Sequence, residues 1–271
     1  MGWDLYIDES GTFDTVDSKG RREHNLIGGF ILPQGRFSRQ ADPWFKQIRH
    51  AVYDRFGSEQ LDHINKNNRW KRKKSDPDEA SHEEFDFTHA CNNRAVSREI
   101  EDSSVINDTI RQAQLMILDE YRQRIESLGG KIVVFDDPTG EDFGGNTSNY
   151  LTILGKGIVA LYSRLQQITG EISPDLYLHI ARRSNQERDA NGYYTETSVI
   201  SLRGNDRRTI DENQYRKTIK HMAFGLADAG LRSVASFRAL FEDESRIVIE
   251  DDGQDVITIP CDFICNSYYR G

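Results

Sequence analysis

Apolar residues along the chain alternate between short runs and longer stripes at helical spacing. Leu5-Tyr6-Ile7, closed by Asp8, and Leu26-Ile27-Gly28-Gly29-Phe30-Ile31-Leu32 after Asn25 are short and rich in strand-forming residues. The polar, glycine-containing connection from Ser10 to Glu23 makes them a predicted hairpin. Between Asp42 and Phe56, Trp44, Phe45, Ile48, Val52 and Phe56 recur at helical spacing and predict an amphipathic helix. A polar stretch from Gln60 to Glu84 follows, and then a brief strand, Phe85-Asp86-Phe87-Thr88-His89, predicted to join the sheet.

The second half is more strongly periodic. Ile106, Ile110, Ala113, Ile117, Tyr121 and Ile125 place a helix between Ser103 and Leu128, with Gly129-Gly130 as its stop. The nearly continuous apolar run Lys131 to Phe135 reads as a strand in a buried central position. An acidic, glycine-rich loop from Asp136 to Gly145 leads into a helix marked by Tyr150, Leu151, Leu154, Ile158, Leu161, Leu165 and Ile168, bounded by Ser148 and Gly170. Leu176 to Ile180 reads as a strand. Thr209-Ile210-Asp211-Glu212 has the spacing of a capping box and opens a helix through Ala229. Strand-like segments near Val234 to Phe241 and Arg246 to Ile249 precede a last helix at Pro260. The order β-β-β-α-β-α-β, with no repeat and no clean linker, predicts one elaborated α/β domain over residues 1–271, with a basic polar insertion near 57–84.

With 271 residues, 37% of them apolar, the chain can build a sizeable core. No apolar run reaches the roughly 20 residues that span a bilayer, and Met1-Gly2-Trp3-Asp4 has neither a basic nor an apolar leader region, so a cytoplasmic protein without a membrane partner is expected. Cys91, Cys261 and Cys265 lack paired metal-ligand spacing and are odd in number, so neither a disulfide framework nor structural zinc is indicated. A net charge of −9 argues against a protein that coats nucleic acid nonspecifically. The positive charge that is present is clustered, in Arg69-Trp70-Lys71-Arg72-Lys73-Lys74, in Arg182-Arg183 and in Arg203 through Arg208. A solvated loop is the plain reading of the first cluster. Trp70 is its unusual member, since an aromatic ring among cations can stack on a base. Gly155-Lys156-Gly157 lacks the glycine spacing and the following Ser or Thr of a phosphate loop, which argues against a nucleoside-triphosphate motor.

Three acids stand at the ends of elements: Asp8 before Glu9-Ser10-Gly11, Asp136 after the run ending at Phe135, and Asp262 at the opening of the terminal helix. Aspartate is frequent at such places because its side chain caps backbone N–H groups. Each acid alone is explained by that preference, and the three together form a candidate metal site.

The element order, with Tyr6-Ile7-Asp8-Glu9-Ser10-Gly11, Leu26-Ile27-Gly28-Gly29-Phe30-Ile31, Phe87-Thr88-His89-Ala90 and Cys261-Asp262-Phe263-Ile264, resembles the domain-of-unknown-function 3800 family, a largely prokaryotic family of the ribonuclease H-like superfamily. Cys261 stands where that family usually has alanine, and its common Gly-Leu-Gln lead-in is missing before Pro260. The resemblance implies a ribonuclease H-like mixed sheet flanked by helices, with insertions. It carries over Asp8 and Asp262, with Asp136 added by element order.

On that resemblance Asp8, Asp136 and Asp262 would bind Mg²⁺ or Mn²⁺, hard cations that take carboxylate oxygens, for two-metal hydrolysis of phosphodiester bonds in RNA or DNA. Glu9 is a supporting acid that strand alternation sends to the opposite face unless the Ser10-Gly11 turn redirects it. Asp137 could replace Asp136 by the same one-residue argument. His89 would orient water or phosphate, or else is a hydrogen-bonded strand-end histidine. Arg69 to Lys74 (Arg69, Trp70, Lys71, Arg72, Lys73, Lys74) would contact substrate, and Arg182 and Arg183 would hold phosphates or form surface ion pairs. His179, inside an apolar strand, reads as a core histidine with satisfied partners. The rival expectation is a non-catalytic ribonuclease H-like module that binds nucleic acid or a partner protein, with a prokaryotic defence role and a homo-oligomer both open.

Overall fold

β1 (Trp3–Ser10) and β2 (Asn25–Pro33) form the expected hairpin, antiparallel from Trp3 against Pro33 to Ser10 against Leu26. A computed structural model of the chain describes residues 2–11, 13, 25–36, 54–55, 103–137, 143, 146–181, 185–188, 194–197, 212–227, 231–250, 260–261, 263–265 and 268. The chain divides into two compact units, one of residues 1–37, 125–185 and 197–271, the other of residues 38–124 and 186–196. The second contains most of α1 (Ser103–Ser127) and of the two-stranded sheet formed by β5 (Asn185–Arg188) and β6 (Tyr194–Thr197). Of the expected helix at Asp42 to Phe56, Asp54 and Arg55 are helical and the rest lies outside the described residues, as do the expected strand Phe85 to His89 and the basic insertion.

The first unit carries a five-stranded mixed sheet in the order β3-β2-β1-β4-β7. β3 (Lys131–Asp137) pairs antiparallel with β2, whereas β4 (Leu176–Ala181) is parallel to β1 and β7 (Ile247–Glu250) is parallel to β4. The central position expected for Lys131 to Phe135 is therefore corrected: in the described sheet this strand lies at an edge, with β2 as its neighbour. Val133 and Asp137, on the α2 face, are buried, whereas Ile132, Val134 and Asp136 on the other face are half-buried or exposed, so the apolar run reflects fuller cover on one face than on the other.

The odd-numbered residues of β1 and their neighbours across the sheet face the core. Leu5, Ile7, Ile27, Ile31, Val133, Leu178, Ile180, Ile247 and Ile249 pack with Tyr150, Leu154, Ile158, Leu161 and Leu165 of α2 (Asn146–Thr169). Tyr215, Ile219 and Ala223 of α3 (Glu212–Leu226) and Phe237 and Phe241 of α4 (Val234–Glu242) complete the layer. Side chains of this size contribute about 1.5–3 kcal/mol each when fully buried.

α4 replaces the strand expected near Val234 to Phe241. Its Val and Phe residues suit a strand, but Val234, Phe237, Leu240 and Phe241 recur at three and four residues. The Ser233 hydroxyl caps the first turn by accepting from the Ser236 N–H at 3.2 Å. α1 stops where expected: Gly129 is left-handed (φ 84°), and the Gly130 N–H donates to the Ile125 carbonyl at 2.8 Å. Near the end of the chain, residues 260, 261 and 263–265 are helical, as expected, and Cys261, Phe263, Ile264 and Cys265 are buried.

Candidate functional site

The strand directions bring the carboxyl ends of β1, β3, β4 and β7 to one edge of the sheet, the edge at which open α/β sheets place ligands. Asp8 stands there on the face opposite the α2 layer. It is half-buried, and its Oδ1 accepts the Glu9 N–H at 2.7 Å. Its neighbours across the sheet are small: Gly28 is its partner on β2, and continuing the register past Ile7 and Ile180 sets Ala181 beside it on β4.

The terminal helical residues lie against this same place. The Cys265 thiol donates to the Asp8 carbonyl at 3.3 Å. A Cβ added to Gly28 would lie 3.2 Å from Cys265 Sγ and 3.2 Å from the Val133 carbonyl, so glycine there is what admits the helix. At Gly29 an added Cβ would meet the Tyr6 carbonyl and approach Cys261 Sγ at 3.0 Å. The Gly28-Gly29 pair, read from sequence only as part of a strand, is the seat of the terminal helix.

Glu9 pairs with Ile27 and points to the α2 side, as strand alternation predicts. Asp136 is exposed and shares the face of Asp8: it pairs with Leu26, which pairs with Ser10, two residues from Asp8. Two strand spacings and two residues of rise put its Cα about 12 Å from that of Asp8. The sheet therefore does not set Asp136 beside Asp8, because β2 intervenes and the strand adjoining β1 on its other side is β4.

Asp137 does not stand in for Asp136. It pairs with Asn25 on the opposite face, is buried, and takes the Lys156 ammonium at 3.2 Å. Lys156 also lies over the Phe143 ring, 4.8 Å from its centroid. Asp262, His89, Arg69, Trp70, Lys71, Arg72, Lys73, Lys74, Arg182 and Arg183 lie outside the described residues. Among the described residues no group of three or more His, Cys, Asp or Glu is arranged to hold a metal ion.

Two polar clusters have partners that the sequence did not identify. On the face of Asp8, His179 Nδ1 lies 2.8 Å from Glu250 Oε1 and its Nε2 lies 3.4 Å from Asp4 Oδ1, with the ring stacked on Tyr6 at 4.4 Å. Asp4 and Glu250 are buried, and Asp4 Oδ2 also accepts the Gly35 N–H at 3.2 Å. Burial pulls the imidazolium pKa down, but hydrogen bonding to Asp4 and Glu250 and their charge outweigh it, leaving the pKa above its ordinary value. The expectation of a satisfied core histidine holds, with two carboxylates as the partners. A lone acid or imidazole within an otherwise apolar strand was the available signal.

On the α2 side, buried Asn25 and Asn149 enclose the Phe13 backbone. Asn25 Oδ1 accepts the Phe13 N–H at 2.9 Å, Asn149 Nδ2 donates to the Phe13 carbonyl at 2.9 Å, and Asn149 Oδ1 accepts the Phe143 N–H at 2.7 Å. Phe13 is left-handed (φ 58°), uncommon for a bulky residue. Its buried ring meets Tyr150 edge-on at 5.2 Å.

Comparison with protein-family models, with curated proteins and with solved structures finds no match to this chain.

Proposed function

We propose that this chain is a metal-dependent nuclease of ribonuclease H-like architecture, with Asp8 as its central acid and Asp136 and Asp262 as the further carboxylates. The observation that carries the reading is the setting of Asp8: an acid at the carboxyl edge of the sheet, between Gly28 and the Ala181 position, on the face where the terminal helix packs. Cys261, the residue before Asp262, lies against Gly29 on that face. Three antiparallel strands followed by two parallel ones, in the order β3-β2-β1-β4-β7, support the architecture.

The donors fit a hard cation, since the acids offer only oxygen. Bound Mg²⁺ or Mn²⁺ would activate water and stabilise the leaving oxygen of a phosphodiester. Asp8 would hold the cation, with its orientation fixed by the Glu9 N–H. Asp136, exposed and on the same face, would serve as an outer ligand on the substrate side. Glu250 is committed to His179 and would shape the field beneath the site rather than ligate.

The test is Asp8→Asn, which keeps shape and removes charge. Cleavage of labelled single- and double-stranded RNA and DNA should fall by a few orders of magnitude with Mg²⁺ or Mn²⁺, equivalent to several kcal/mol of lost transition-state stabilisation. Equal cleavage by both proteins overturns the site. No cleavage by the wild type on any substrate, with nucleic-acid binding retained, favours the non-catalytic binding module.

A further inference from the structure

Phe13, Asn25, Phe143 and Asn149 lie in the first unit and connect two chain segments that each follow an acid-bearing strand. Phe13 lies five residues beyond Asp8 on the segment leaving β1, and Phe143 lies seven beyond Asp136 on the segment leaving β3. A single side chain near the start of α2 holds both: the Asn149 amide donates to the Phe13 carbonyl at 2.9 Å and accepts the Phe143 N–H at 2.7 Å. Asn149 is 3% exposed, so these bonds are shielded from competing water. Asn25, also 3% exposed, takes the remaining polar group of Phe13, its N–H. The left-handed Phe13 backbone costs free energy unless its surroundings over-determine it, and two buried amides and a core-seated ring do so. The amide orientation follows from the network, because the reverse orientation would set an NH₂ against the Phe143 N–H.

We propose that Asn149 is a positioning residue of the candidate site, tying Phe13 to Phe143 just beyond the two strands that carry Asp8 and Asp136. The proposal rests on the nuclease reading for what those acids do. It does not require Asn149 to touch metal or substrate. The strand ladders end at Ser10 and Asp137, before Phe13 and Phe143, and the single amide ties these two residues to each other. Supporting residues of this kind shift metal affinity without ligating.

The experiment uses the full chain and Mn²⁺ as the probe, measuring its affinity by electron paramagnetic resonance, with backbone amide exchange followed in parallel. Asn149→Ala should weaken Mn²⁺ binding by on the order of ten-fold and speed exchange of the Phe13 and Phe143 amides, while β4 and α3 keep their protection. Asp8→Asn with Asn149→Ala should bind no more weakly than Asp8→Asn alone, because the amide acts through the acids. If the alanine variant does not fold, Asn149→Asp decides: it keeps the acceptor for Phe143, loses the donor to Phe13, and should speed exchange at Phe13 and not at Phe143. Unchanged Mn²⁺ affinity in a folded variant, or exchange that rises uniformly, overturns the positioning role while the nuclease reading stands. Absence of Mn²⁺ binding by the wild type overturns both.

Discussion

His179 shows how one side chain can govern behaviour far from its own volume. Its ring nitrogens face two buried carboxyl groups, so removing it takes away the partner that Asp4 and Glu250 share. His179→Gln is expected to cost about 3–5 kcal/mol near neutral pH, the usual result of breaking a buried charge cluster. The folded-state pKa is raised, so the proton is held more tightly in the folded than in the unfolded chain. That stabilisation is complete below the unfolded value of about 6.5 and is lost as pH rises through the higher folded value. As pH rises above about 6.5, urea midpoints should therefore fall for the wild type by more than for His179→Gln. A wild-type midpoint that rises over that window would contradict the charge assignment.

Among the elements, α2 is fitted to its neighbours by the absence of side chains. A Cβ at Gly157 would lie 2.9 Å from Ile27 Cβ, and one at Gly155 would lie 3.2 Å from Met222 Cβ. These two glycines let α2 approach β2 on one side and α3 on another, and Lys156 between them reaches Asp137. A motif that read as a failed phosphate loop is thus a packing device. Gly157→Ala should gain about 1 kcal/mol of helix propensity yet lose about 1–3 kcal/mol through overpacking against a branched core residue. The net fall in stability is measurable by denaturant unfolding, and a more stable variant would show that β2 can yield. α4 teaches the converse lesson: aromatic and β-branched content suggested a strand, but the Ser233 cap and the three-and-four spacing of Val234, Phe237 and Phe241 carried the helix.

Across the molecule, the net charge of −9 makes any nucleic-acid binding local, and no helix among the described residues is long and apolar enough to cross a membrane. Under the nuclease reading, replacing Arg69, Lys71, Arg72, Lys73 and Lys74 with alanine should weaken binding and flatten its salt dependence by about 0.7–0.9 in log–log slope for each phosphate no longer neutralised. An unchanged slope in a binding titration across salt concentrations would remove the segment from the footprint. The hairpin, α1, α2 and the presence of an acid at the end of β1 were legible from the chain alone. They follow from spacings of two, three or four residues and from local stop and cap residues, which act within a turn or a pair of strands. It took the folded sheet to set β3 beside β2 rather than beside β1, and to give Asp136 the face of Asp8 while turning Asp137 away from it. Folding likewise supplied the carboxylates that hold His179 and the thiol that meets Asp8, through pairs of residues 71, 175 and 257 positions apart. Partners so distant leave no period in the chain, because they are selected by how the sheet closes and which polar groups must be satisfied within it.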